Sequence, residues 1–94
     1  MDEFSTIDLL EATHTFPGPY MFKAIGRVEN GFIGRVVAAV REELARSHDP
    51  PYRLRLTEHG RHVAVTVEPE VENPYEVLAV YRRLRKTAGL IMLW

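Results

Sequence analysis

Hydrophobic and polar residues alternate between positions 20 and 28, and this pattern predicts a strand with one buried face. The residues expected to point inward are Tyr20, Phe22, Ala24, Gly26 and Val28. The opposite face carries Met21, Lys23, Ile25 and Arg27. A glycine inside a strand marks a bulge or a close backbone approach, so we expect one of these at Gly26. Because Pro17 and Pro19 lack an N–H, regular pairing is predicted not to begin before Tyr20.

After a turn signal at Glu29-Asn30-Gly31, the apolar spacing changes to that of a helix. The residues sharing one helical face are Phe32, Ile33, Val36, Val37, Val40 and Leu44. Asn30 is the expected N-cap, because its side-chain oxygen can accept a hydrogen bond from an N–H of the first turn. The helix is predicted to end near Arg46, before the stop at Pro50.

The second half of the chain predicts a hairpin, a helix and a last strand. The first hairpin strand is expected to be half-buried, with Tyr52, Leu54 and Leu56 alternating with Arg53, Arg55 and Thr57. A glycine-containing turn at 58–61 leads to the return strand, whose inward residues are Val63, Val65 and Val67. Asn73, Pro74 and Glu76 form the start signal of a helix that Gly89 ends. The apolar run 90–94 is predicted to be a buried strand.

The order strand, helix, strand, strand, helix, strand predicts an α+β fold of the ferredoxin-like βαββαβ type. Its expected form is a four-stranded antiparallel sheet with two helices on one face. Residues 1–15 are expected to form a short helix or an ordered arm before a single domain over 16–94. The side chains expected on the uncovered sheet face are Met21, Lys23, Ile25, Arg27, Arg53, Arg55, His62 and Thr66.

Composition bounds the possible functions. The 94 residues suffice for one domain with a modest core, and 46% of them are apolar. Without cysteine, the chain has no disulfide, thiolate chemistry or cysteine metal site. Twelve basic and thirteen acidic residues give no overall attraction for nucleic acid. No apolar run is long enough to span a membrane and no secretion signal opens the chain, so a cytoplasmic location without membrane association is expected.

Catalysis, metal binding and RNA binding find little support. Gly26-Arg27-Val28, followed by Arg35, is similar to the phosphate loop of acylphosphatases, but the asparagine that such chemistry needs is absent near residues 56–58. His59 has odd spacing from the next histidine, which sends the two side chains to opposite faces of a strand. No exposed aromatic residue is expected on the uncovered face to stack RNA bases. We therefore expect no enzymatic activity, cofactor, metal or nucleic-acid partner.

Three groups of residues resemble the YbeD-like family of small bacterial proteins of unknown function. They are Phe16-Pro17 with Tyr20-x-Phe22-Lys23-x-x-Gly26, Gly60 before the valine strand, and Tyr81-x-x-Leu84 with a terminal Met92-Leu93. The resemblance covers essentially the whole chain. It implies a ferredoxin-like fold similar to ACT regulatory domains, without an established catalytic activity or cofactor. The hairpin turn departs from the family, whose members often have serines and a lysine around this glycine.

The turn Glu29-Asn30-Gly31-Phe32 is similar to the strand-to-helix turn that holds an amino acid in ACT domains. Helix N-termini favour carboxylates, so a small amino acid or anionic metabolite is the ligand that this resemblance implies. This chain has Asn where ACT domains have Pro, and Glu29 would repel a carboxylate. The alternative is an ordinary Asn-Gly turn that caps the helix.

The uncovered sheet face is the other candidate site. Met21 and Ile25 lie there among basic residues, and such a mixed surface is typical of protein interfaces. The residues predicted to bind a protein partner, or a second copy of the chain, are Lys23, Ile25, Arg27, Arg53 and Arg55. The first hypothesis is therefore a non-enzymatic regulatory or adaptor domain, and the second is a small-ligand sensor at residues 29–32.

Overall fold

The computed structural model describes residues 3–29, 31–57 and 59–94, with side chains from residue 6 onward. In this part of the chain the helices are α1 (Glu3–Thr13), α2 (Phe32–Glu43) and α3 (Pro74–Leu84). The strands are β1 (Gly18–Pro19), β2 (Phe22–Arg27), β3 (Tyr52–Leu56), β4 (His62–Val67), β5 (Glu70–Val71) and β6 (Leu90–Leu93). The predicted α+β class is confirmed.

The main sheet is antiparallel and has the strand order β3-β4-β2-β6. Strands β3 and β4 form the predicted hairpin, while β2 and β4 are the central strands. In the central pair, Phe22 lies opposite Val67 and Ala24 lies opposite Val65. These four side chains are at most 1% exposed, so they share one buried side of the sheet, called here the core side.

Helices α2 and α3 pack against each other and supply most of the remaining core. Their spacing of apolar residues produces one buried stripe per helix, as the sequence pattern predicted. The buried helical residues are Phe32, Val36, Val37, Ala39 and Val40 in α2, and Pro74, Val77, Val80 and Leu84 in α3. Asn73 caps α3, since its side-chain oxygen accepts a hydrogen bond of 3.0 Å from the N–H of Glu76.

The glycine within β2 accommodates a close approach from α2. A Cβ built on Gly26 would overlap the ring of Phe32, which is 2% exposed. The pairing of β2 with β6 also shifts register between Ile25 and Gly26. The prediction of a bulge or close approach at this glycine is confirmed, because both are present.

Residues 3–13 form a helix that packs on the body of the protein. Ile7 and Leu10 are 6% and 8% exposed, and Leu10 joins the main core. The ring of His14, just after α1, lies 4.9 Å from the ring of Tyr20. These contacts and the packing of α1 against α3 hold the helix in place.

Three predictions about strands were wrong. Pairing begins before Tyr20, because Gly18 and Pro19 pair with Val71 and Glu70 in a second, two-stranded sheet. Strand β3 is exposed along its whole length instead of half-buried. Strand β6 has exposed residues instead of being buried. Both β3 and β6 are outer strands, and helix α2 packs over the central strands β2 and β4.

The start of α2 also differs from the prediction. The N-cap is Gly31, which has a left-handed backbone conformation with φ of 74° and provides no side-chain hydrogen bond. Glycine adopts this conformation without steric cost, which explains why it lies at this turn. Asn30, the predicted cap, lies outside the described residues, as does Glu58 in the hairpin turn.

Candidate functional site

The register of the main sheet brings the predicted partner-binding residues onto one surface. Lys23 and Arg53 lie on either side of Thr66, and Ile25 and Arg55 lie on either side of Ala64. Because paired residues in adjacent strands share a face, these rows lie side by side away from the core. In the next row, exposed Arg27 lies opposite His62. We call this surface the open face.

Strand β6 adds two large apolar side chains to the open face. Met92 pairs with Ile25, and Trp94 exchanges main-chain hydrogen bonds of 2.8 and 2.9 Å with Lys23. Met92 and Trp94 are 51% and 50% exposed. The Nζ atom of Lys23 lies 5.5 Å from the centroid of the Trp94 ring, within the range of a cation–π interaction.

Sequence reasoning missed this tryptophan because the run 90–94 was interpreted as a buried strand. The expectation that the open face carries no exposed aromatic side chain was therefore wrong. Alternation along the run could not have found it, because Leu90 and Leu93 both pack against the core although they are three residues apart, while Met92 and Trp94 are exposed. The register shift beside Gly26 places one extra residue, Ile91, between Leu90 and Met92.

The two arginines of β3 differ in their electrostatic environment. Nη1 of Arg53 lies 2.6 Å from Oε1 of Glu68, but the Arg53 side chain is 65% exposed. An ion pair this exposed contributes little to stability, so Arg53 can leave Glu68 and pair with a carboxylate of a binding partner at low cost in free energy. Arg55 is exposed and forms no ion pair with another residue that the structure describes. Both guanidinium groups are accessible to a partner.

The other side of β3 is apolar. Leu54 and Leu56 lie opposite Val65 and Val63, so their side chains point to the core side of the sheet. They are nevertheless 47% and 60% exposed, and Tyr52 in the same row is 48% exposed. The sequence pattern identified this row correctly as apolar but wrongly predicted that it would be covered.

The predicted ligand turn lines a small cleft of about 220 Å³. Its lining residues are Val28, Glu29, Gly31, Phe32 and Ile33. The structure thus brings three of the four predicted ligand-binding residues together, and Asn30 lies outside the described part of the chain. The ring of Phe32 is buried against Gly26 and Gly89, so it belongs to the core more than to the cleft.

Arg35 ties the first turn of α2 to the loop before β6. Its Nη2 atom donates a hydrogen bond of 3.0 Å to the carbonyl oxygen of Ala88. A larger cleft of about 530 Å³ lies beside this contact, between α2 and the end of α3. Its charged lining includes the ion pair between Arg83 and Glu42, whose N and O atoms are 2.5 Å apart. This cleft is open and crossed by an internal ion pair, so Arg83 and Glu42 already have partners.

A pair of partly buried tyrosines lies near the start of β2. The hydroxyl oxygens of Tyr20 and Tyr81 are 3.4 Å apart, and the Tyr81 ring packs edge-on against Phe22. Burial, reinforced by the Tyr20 hydroxyl, raises the pKa of Tyr81 above its ordinary value. Tyr81 is therefore a neutral part of the core at physiological pH.

The described part of the chain offers neither a metal site nor a membrane-spanning helix. No group of three histidine, aspartate or glutamate side chains within residues 3–29, 31–57 and 59–94 could hold a metal ion. None of the helices described in that part of the chain is long and apolar enough to cross a bilayer.

Comparisons with known proteins agree with this architecture. No curated protein sequence matches the chain. The fold is similar to the ACT domain from GTP pyrophosphokinase of Chlorobium tepidum, with a TM-score of 0.59 and 16% identity. The similarity covers 81% of this chain and 94% of that one, and at this identity it shows the fold alone.

Residues 11–94 match the sequence model of the family described as "Protein of unknown function (DUF493)". The match extends from the end of α1 to the last residue of the chain. It agrees with the resemblance carried by the Phe16-Pro17 segment, the hairpin glycine and the terminal strand. The chain belongs to the DUF493 family, the YbeD-like proteins of unknown function, and has an ACT-like α+β fold.

Proposed function

We propose that this protein is a small regulatory domain that binds a protein partner through the open face, the side of the sheet away from α2 and α3. The observation that carries the proposal is Trp94, which lies half-exposed on this face beside Lys23. Tryptophan, methionine and arginine are enriched in protein interfaces, and tryptophan and arginine are enriched at their energetic centres. The open face combines all three in adjacent rows.

The position of the tryptophan favours binding. Two main-chain hydrogen bonds with Lys23 hold the Trp94 backbone, and the Lys23 side chain lies over the ring. A side chain that is ordered before binding loses less conformational entropy when a partner arrives. The small residues Ala64 and Thr66 along the middle of the face let a partner approach the sheet closely.

Trp94 also provides the test, since it is the single tryptophan of the chain. Partners would first be captured and identified with the whole protein, then purified and titrated while Trp94 fluorescence is recorded. Binding over the open face should shift the emission to shorter wavelength and protect the ring from acrylamide quenching. Trp94→Ala should weaken binding about 30-fold, which corresponds to about 2 kcal/mol for an interface centre.

Tyr75→Ala serves as the matched control, because Tyr75 is an aromatic residue on α3 that is 65% exposed. This variant should bind with unchanged affinity. A partner that binds Trp94→Ala as tightly as the unaltered protein, and leaves Trp94 fluorescence unchanged, would contradict the proposal. A blue shift that depends only on protein concentration would identify the partner as a second copy of the chain.

A second candidate function is a small-ligand sensor at the turn of Glu29, Asn30, Gly31 and Phe32. The cleft of about 220 Å³ at this turn favours it. An amide NMR titration with amino acids and anionic metabolites tests the hypothesis. Shifts confined to residues 30–35 would support a sensor, and an unchanged spectrum would exclude these compounds as ligands.

The proposed function is binding without catalysis. In the acylphosphatase alternative, the catalytic arginine would be Arg27 or Arg35. Arg27 is exposed on the open face, and Arg35 donates to the Ala88 carbonyl oxygen. We therefore expect no turnover of acetyl phosphate or another simple acyl phosphate. Turnover that disappears in Arg35→Lys would contradict a purely binding role.

A further inference from the structure

The outer edge of β3 has main-chain groups that point away from the sheet. Two main-chain hydrogen bonds of 2.9 Å lie at the ends of β3, one from the Thr57 N–H to the His62 carbonyl oxygen and one from the Glu68 N–H to the Pro51 carbonyl oxygen. The odd-numbered residues of this segment therefore bond to β4. In an antiparallel ladder, alternate residues bond to the same neighbour. The N–H and C=O groups of Tyr52, Leu54 and Leu56 therefore point outward, and no described strand lies beyond them.

The two sides of this edge have different chemistry. On the core side, Tyr52, Leu54 and Leu56 are each about half exposed. On the open face, Arg53 and Arg55 are exposed, and only the former has a described ion-pair partner. A strand laid along this edge would meet apolar side chains on one side and positive charge on the other.

We infer that β3 accepts one more antiparallel strand from a partner protein, and that this strand alternates acidic with apolar residues. The inference rests on the proposed function, because it names the kind of partner and the way it binds. The added strand pairs its main chain with the outward groups of Tyr52, Leu54 and Leu56. Its apolar residues cover those side chains, and its carboxylates face Arg53 and Arg55.

A second copy of β3 is a poor occupant of the same edge. Two copies of β3 related by a two-fold axis could extend the sheet so that both open faces lie on the same side. Odd-numbered residues would then lie opposite odd-numbered residues, and even-numbered opposite even-numbered. Whether the axis passes through Arg53, Leu54 or Arg55, an arginine lies opposite an arginine, and like charges directly opposite each other destabilise a strand pair. If the second copy instead presented its open face on the other side of the sheet, each arginine would lie opposite a leucine or a tyrosine. Charged and apolar side chains would then be mismatched on both sides of the sheet.

The test uses the whole protein and a synthetic strand. The probe is an end-capped peptide of alternating glutamate and valine, about six residues long, which is the usual length of a strand. The first control replaces each glutamate with lysine. The second keeps every side chain but methylates the valine nitrogens, which removes the N–H groups that would bond to β3.

Amide hydrogen exchange measured by NMR reports strand addition directly. With the glutamate peptide at about ten times its dissociation constant, exchange at Leu54 and Leu56 should slow about ten-fold. The amides of Arg53 and Arg55 face β4 already, so they should change little. The double variant Arg53→Glu with Arg55→Glu should prefer the lysine peptide.

Several results would overturn the inference. One is equal binding of the N-methylated peptide, and another is equal binding of the lysine peptide. A third is slow, concentration-dependent exchange at Leu54 without any peptide, which would identify a second copy at the edge. Absence of peptide binding at millimolar concentration would also contradict strand addition. The Trp94 measurements would still test the proposed function independently.

Discussion

The ring of Phe32 occupies the space that a side chain at Gly26 would fill. This contact joins the first residue of α2 to the last part of β2, one residue before the strand ends, and both residues are buried. The glycine in the strand is thus a packing requirement of the helix that follows it. The same ring lies near Gly89, where an added Cβ would be 3.3 Å from it.

Gly26→Ala should destabilise the protein by about 1–3 kcal/mol, because the added methyl group forces a shift of the Phe32 ring in a packed core. Urea unfolding should show a lower midpoint with an unchanged slope. Gly34→Ala in α2 is the control, since a Cβ there has no atom within 4 Å. That variant should gain about 0.5–1 kcal/mol from helix propensity. Equal stability of the two variants would contradict the Phe32 contact.

Leu10→Ala should cost about 2–4 kcal/mol, because Leu10 is 8% exposed and packs in the main core. The adjacent Leu9 is 52% exposed, so Leu9→Ala should change the unfolding free energy by less than about 0.5 kcal/mol. Thermal or urea unfolding of the two variants compares one leucine with its neighbour. A small effect of Leu10→Ala would mean that α1 is not docked in solution.

The double charge reversal Arg53→Glu with Arg55→Glu should weaken a partner complex at least about ten-fold while leaving the fold intact. Both side chains are exposed, and the ion pair with Glu68 contributes at most about 1 kcal/mol. The matched control reverses Arg85 and Lys86, which lie after α3 and change the net charge equally. Ligand binding at residues 29–32 should survive the reversal in β3. If a partner bound the Arg53→Glu with Arg55→Glu variant with unchanged affinity, the proposed role of the open face would be contradicted.

Stability should fall at alkaline pH because of Tyr81. Its pKa is raised in the folded protein, mainly by burial and then by the Tyr20 hydroxyl. The stabilising contribution is therefore complete below the ordinary tyrosine pKa of about 10, and it is lost as pH rises through the higher folded value. Tyr81→Phe should remove part of this alkaline loss, as measured by urea unfolding at pH 8 and above. Tyr75→Phe, at a position that is 65% exposed, is the matched control substitution.

Many local features followed from the sequence alone. The parity of residues 22–27 identified the buried side of β2, and helical spacing identified the buried stripes of α2 and α3. Asn73 before Pro74 predicted the start of α3, and the glycine in β2 predicted a bulge or close approach. These features depend on neighbouring residues and on the geometry of a single element. Together they were sufficient for the α+β class and for the family resemblance.

The tertiary structure decided which of these faces are covered. Periodicity tells which side of a strand a residue occupies, but it does not tell whether another layer lies on that side. Leu54 and Trp94 are both apolar residues that a buried strand could carry, and both are half exposed because β3 and β6 are outer strands. The candidate site therefore depends on strand order. Burial of an apolar residue is a property of the assembled layers, whereas strand parity and helical spacing are properties of the chain itself.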